Sequence, residues 1–117
     1  MLQESRVSTA KSSNDWHKKG LFLYEQGEYE ESVICYDRAI KLNPQFVDAW
    51  TDKGNALDDL GKHSEAIQCY DKAIEINSKY ADVFYNKGIA LARVGCDADA
   101  AAAFAKAKEL EANASDH

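Results

Sequence analysis

Residues 47–80 read VDAWTDKGNALDDLGKHSEAIQCYDKAIEINSKY. Trp50, Gly54, Leu57 and Leu60 recur at the three- and four-residue spacing of one helix face. Gly61 then supplies a residue that can take positive φ and end the helix. Lys62 and His63 complete a turn, and Ala66, Ile67, Tyr70, Ala73 and Ile74 mark the buried stripe of a second helix. The stretch is a helical hairpin, and a unit of this size calls for a test of repetition.

Residues 13–46 and 81–114 align with residues 47–80 without a gap, at a fixed offset of 34. Trp16 falls over Trp50 and Phe84, Lys19-Gly20 over Lys53-Gly54 and Lys87-Gly88, and Leu23 over Leu57 and Leu91. Gly27, Gly61 and Gly95 coincide, as do Tyr36, Tyr70 and Phe104, then Ala39, Ala73 and Ala107. Leu42 falls over Ile76 and Leu110. The pattern predicts six helices near residues 15–26, 29–42, 49–60, 63–76, 83–94 and 97–112. Gly20, Gly54 and Gly88 lie inside helices, where glycine costs about 1 kcal/mol against alanine. That cost, repeated at one position, implies close approach of the paired helix and insertion of Tyr36, Tyr70 or Phe104. Pro44 stops the second helix of the first unit.

These residues resemble the tetratricopeptide repeat: an aromatic, a small residue, a large apolar residue, Gly at the turn, Ala, an aromatic, Ala, and often Pro. Unit one has Ser32 for the usual Ala. Unit two has His63 for the usual Tyr and Ser78 for Pro, and unit three has Asp97 and Ala112 at those places. The resemblance implies an all-α fold, an α-solenoid of three antiparallel helix hairpins wound as a right-handed superhelix. It divides the chain into a flexible N-terminal arm (1–12), three repeats (13–46, 47–80 and 81–114) and a tail (115–117), with fraying expected from 113. On this fold Val33, Ile40, Ile67 and Ile74 pack against the next repeat. Unit three carries Ala101 and Lys108 there, so a blunted terminal face is expected, with the chain complete at its C-terminus.

The same resemblance assigns the concave face to the first helix of each repeat. That maps a peptide-binding groove onto Asn14, His17, Leu21, Tyr24, Asp48, Asp52, Asn55, Asp58, Asp59, Asp82, Tyr85, Asn86 and Ile89. The centre is acidic, with Leu21, Tyr24, Tyr85 and Ile89 as apolar flanks, and Asp52 and Asp58 are expected to face solvent. The implied partner is a protein or peptide segment that is basic and partly apolar. The family's clamp for acidic chaperone tails uses three cations. The corresponding positions are His17, Leu21, Asp52, Asp82 and Asn86, where no Lys or Arg stands and two carboxylates do, so that ligand is not expected. The alternative is a structural homo-oligomer, assembled through the open ends or the N-terminal arm.

Composition agrees with a binding module. The net charge is −6, the wrong sign for nucleic acid or an anionic membrane. No apolar run reaches membrane-spanning length, and residues 1–13 lack a signal-peptide core. A cytoplasmic protein is expected. Cys35, Cys69 and Cys96 match neither a disulfide framework nor a zinc spacing, and no cofactor is expected. Cys35 and Cys69 occupy equivalent repeat positions. Lys19, Lys53 and Lys87 form a ladder whose stems are expected to pack while the amines reach solvent. No phosphate loop or nucleophile motif is present, and an open solenoid face desolvates poorly, so an enzyme is not expected.

Overall fold

The computed structural model describes residues 11–115. They form six helices: α1 (Ser13–Glu25), α2 (Tyr29–Leu42), α3 (Val47–Asp59), α4 (His63–Ile76), α5 (Ala81–Arg93) and α6 (Asp97–Ser115). No strand occurs among the described residues. The expected arm over residues 1–12 lies outside the described residues except for Lys11 and Ser12. Ser12 is the N-cap of α1, with Asp15 completing a capping box at 3.1 and 3.0 Å.

Three hairpins, α1–α2, α3–α4 and α5–α6, stack in order. Each second helix packs on the next first helix, α2 on α3 and α4 on α5. The backbones of the first helices also approach one another, α1 with α3 and α3 with α5, whereas those of the second helices stay further apart. The stack therefore curves with α1, α3 and α5 on its inner, concave side. Its radius of gyration is 16.1 Å. A compact chain of this length would have about 13 Å. The difference marks an elongated solenoid rather than a rounded bundle.

Each first helix ends in the same way. Gly61 takes φ +83°, and Lys62 N–H donates to Leu57 C=O at 2.8 Å, which closes a Schellman turn. Second helices end differently. Asn43 Oδ1 accepts from Gln45 N–H at 3.2 Å, and Asn77 Oδ1 accepts from Lys79 N–H at 3.0 Å. The asparagine turn explains how unit two dispenses with proline. Unit three has Glu111 in that place, so α6 runs on to Ser115 instead of fraying from 113 as expected. The first helices begin two residues earlier than the pattern suggests, with Phe46 and Tyr80 as extended N-caps.

The core is built from inserted aromatics. A Cβ placed on Gly54 would lie 2.6 Å from Tyr70 Cε1, closer than side chains tolerate, and the same clash recurs between Gly20 and Tyr36 and between Gly88 and Phe104. Tyr36 and Tyr70 are fully buried. Leu57, Cys69, Tyr70, Ala73, Val83 and Ala90 form one cluster, joined by Val33 from the first repeat and by Ile67 and Ile74. Ile67 also reaches Leu91, Ala100 and Ala103 of the third repeat. Val33, Ile67 and Ile74 thus pack as the repeat pattern requires, while Ala101 and Lys108 at the far end are exposed. Cys35 and Cys69 are buried beside the tyrosines, and burial pushes the Cys69 thiol up to about 11, which makes it a packing group and not a nucleophile.

Gly54→Leu is expected to lower unfolding free energy by at least the roughly 1–3 kcal/mol typical of overpacking, read from urea midpoints. An unchanged midpoint would mean that the Tyr70 ring has room to move. Burial also holds the hydroxyls of Tyr36 and Tyr70 protonated well above the ordinary value of 10.0. The unfolded chain ionises them near about pH 10, whereas the folded chain keeps its protons. Stability is therefore intact below about pH 10 and falls as pH rises beyond it. Unfolding curves at neutral and strongly alkaline pH should show this fall, and Tyr70→Phe should shrink it.

Candidate functional site

The concave face is lined by α1, α3 and α5, and two adjoining hollows occupy its centre. The first, of about 250 Å³, is lined by Tyr24, Asn55, Asp58, Asp59, Tyr70, Asn86, Ile89 and Arg93. The second, of about 200 Å³, is lined by Asp48, Thr51, Asp52, Asn55, Tyr80, Asp82, Val83 and Asn86. Asn55 and Asn86 belong to both, so the hollows form one surface. Asn55 Oδ1 accepts from Tyr70 O–H at 2.6 Å and from Asn86 Nδ2 at 3.1 Å, which fixes the floor. In the first repeat Leu21 stands in the place of Asn55, and the buried Tyr36 hydroxyl finds no partner among the described residues.

The aspartates of this face are held by neighbouring repeats. His17 Nε2 lies 2.7 Å from Asp52 Oδ2, and the His17 ring packs 4.9 Å from the ring of Phe46. Tyr24 O–H donates to Asp59. Tyr80 O–H donates to Asp48 at 3.0 Å. Asp58 accepts from Arg93 and lies 2.5 Å from His63 Nδ1. The pairs His17–Asp52, Tyr24–Asp59 and Asp58–Arg93 all join residues 35 apart, one repeat plus one residue. Each ties one first helix to the next.

The pairing leaves the groove acidic. The Tyr24 hydroxyl is pushed up by burial and then by its bond to Asp59, and the Tyr80 hydroxyl is pushed up by its bond to Asp48. Both hydroxyls stay protonated and donate to these carboxylates. Among the described residues, Asp58 alone of these aspartates has an arginine beside it.

The structure brings His17, Tyr24, Asp48, Asp52, Asn55, Asp58, Asp59, Asp82, Asn86 and Ile89 together. Leu21 is half-buried on the same helix and Asn14 is exposed near its start. Two expectations need correction. Asp58 does not face solvent: it is 7% exposed, because His63 and Arg93 close over it. Tyr85 lies outside the two central hollows. Its ring packs against Phe104 with centroids 5.4 Å apart and lines a groove of about 770 Å³ at the outer end of α5 and α6, with Asp82, Ala101, Ala105 and Lys108. Its repeat position is the one at which His17 and Thr51 meet the following repeat, and no repeat follows α6 among the described residues.

His63, Tyr70 and Tyr80 also belong to the site and were not picked out by residue pattern, and Arg93 joins them from α5. Complementary side chains at a spacing of 35 are the signal that pairs Arg93 with Asp58. The lysine ladder also differs from expectation. Lys53 Nζ pairs with Asp37 at 2.7 Å and Lys87 Nζ with Asp71 at 2.6 Å, so these amines join repeats on the other side of the stack. Among the described residues, no cluster of His, Cys, Asp and Glu is arranged to hold a metal, and no helix is long and apolar enough to cross a membrane.

Solved structures of similar shape include MamA, with a TM-score of 0.87 and 27% identity, over 91% of this chain and 62% of that one. This chain thus spans about three fifths of the length of MamA. The second TPR of Spaghetti (RPAP3), bound to the HSP90 peptide SRMEEVD, has a TM-score of 0.83 at 22% identity, over 86% of this chain and 93% of that one. The first TPR of the same protein, with the same peptide, has a TM-score of 0.85 at 24% identity, over 87% and 81%. Comparison with curated protein sequences found no match. The family model described as TPR repeat matches residues 20–61 and 54–95, more than half of the chain. With that match laid over the stacked hairpins and their glycine–aromatic contacts, the chain belongs to the tetratricopeptide (TPR) repeat family.

Proposed function

We propose that this chain is a cytoplasmic, non-enzymatic adaptor that holds a basic, partly apolar segment of a partner protein against its concave face. The observation that carries the reading is the continuous surface around Asn55 and Asn86, where Asp48, Asp52, Asp59 and Asp82 converge beside Ile89. Hydroxyl and imidazole partners orient the first three carboxylates. A preoriented carboxylate array steers a cationic segment at long range, while Ile89 and Leu21 offer apolar contact for affinity. The Spaghetti repeats show that this fold can carry a peptide ligand, and theirs is the acidic HSP90 peptide SRMEEVD. Here carboxylates stand at Asp52 and Asp82, and the opposite ligand charge follows.

A second reading, self-association, is favoured by one observation: the apolar groove at the outer end of α5 and α6, where Tyr85 is 55% exposed.

The test is titration with the natural partner, captured from its own cytosol. Asp59→Lys with Asp82→Lys is expected to weaken binding at least about tenfold without unfolding, since both residues are exposed. Salt is expected to weaken binding without abolishing it, as screening lengths shorten below about 8 Å. Asp58→Ala acts differently. It should cost stability, about 2 kcal/mol once the exposed Arg93 is discounted for solvent. A partner that is acidic, or that binds the Asp59/Asp82 variant as tightly as the wild type, would overturn the groove reading and favour self-association.

A further inference from the structure

Each repeat after the first places its ladder lysine against a carboxylate of the repeat before it. Lys53 takes Asp37, and Lys87 takes Asp71. Each aspartate sits on a second helix, 16 residues before its lysine. Lys19 is the third member of this ladder. The residue 16 places before it is Gln3, which cannot repeat the ion pair. Lys19 is exposed, and its ammonium lies 5.6 Å from the centre of the Trp16 ring. Lys11 lies 5.6 Å and the Arg38 guanidinium 4.9 Å from the same ring. All three cations act on the nearby Cys35 thiol, so they share one neighbourhood. None of them forms an ion pair among the described residues.

We propose that the N-terminal end of the stack, at Trp16 and Lys19, is a docking face for a helix of a partner protein that presents an aspartate or glutamate. The occupant follows from the interface the molecule already uses. At the first internal interface Lys53 receives α2 through Asp37, and α2 adds its apolar Val33 to the core cluster against which Trp50 also packs. Among the described residues this end offers the same aromatic and ammonium with two further cations, so it favours an apolar helix with a carboxylate at the matching place. A second copy of this chain does not fit in that register, because α6 has Ala105 where α2 and α4 have Asp37 and Asp71, with Lys108 close by. Phosphate is disfavoured because both internal precedents are carboxylates. This face is separate from the concave groove and does not depend on its reading.

The experiment uses the full chain and a fluorescent, helix-stapled peptide of residues 63–76 with Cys69→Ser, the segment that presents Asp71 to Lys87 in the folded protein. Fluorescence anisotropy should show saturable binding. Lys19→Glu should weaken it at least about tenfold, Asp71→Lys in the peptide should do the same, and combining the two should restore it. Circular dichroism of the Lys19 variant checks that the fold is unchanged. Absence of saturable binding, or equal binding to the Lys19 variant, would overturn the proposal. So would displacement of the peptide by inorganic phosphate at constant ionic strength. Binding only after removal of residues 1–10 would also overturn it, by assigning the face to this chain's own N-terminal segment.

Discussion

The fold depends on one contact made three times: an aromatic ring lying against the backbone of a helical glycine. A side chain at Gly54 would meet Tyr70 at 2.6 Å, so the absence of Cβ is what lets the two helices of a hairpin close. The same geometry at Gly20 with Tyr36 and at Gly88 with Phe104 gives three hairpins of one shape. Identical units stacked by one repeated interface must form a curved array rather than a rounded core. The concave face is a consequence of that repetition.

Polar chemistry divides between the two sides of the array. On the inner side, His17–Asp52, Tyr24–Asp59 and Asp58–Arg93 connect consecutive first helices. Towards the second helices, Lys53–Asp37 and Lys87–Asp71 connect each repeat to the one before. The inner set leaves net negative charge, because tyrosine hydroxyls orient carboxylates without cancelling them. The outer pairs are balanced.

Among the described residues the two ends of the stack are the two unmatched halves of the inter-repeat interface, and they differ in chemistry. The α1 end carries Trp16 among three cations. The α6 end carries Tyr85 and Phe104 among alanines, with Lys108 and Ala105 in place of the apolar and acidic residues of α2 and α4. The substitutions shrink the apolar area at that end without removing it, since both aromatic rings remain. They also remove the carboxylate that would receive a lysine, so the two ends are poorly matched to each other.

The sequence by itself determined the repeat length, the six helices, the glycine–aromatic insertion and the stops at Gly61 and Pro44. All of these rest on local preferences or on one fixed offset, which a single chain displays directly. The resemblance to the repeat family assigned the concave face to the first helices, and ten of the residues it mapped there lie together in the structure. Only the tertiary structure decided which carboxylates are available and where Tyr85 points. Asp58 and Asp59 are adjacent and both acidic, yet one is enclosed by His63 and Arg93 while the other stays exposed. Tyr85 shares its repeat position with His17 and Thr51, yet it alone has no following repeat against it among the described residues. The physical reason is that stacking offsets each first helix by about one residue against the next. A side chain's surroundings are therefore set by residues 35 places away and by whether another repeat follows, and its own position in the repeat specifies neither.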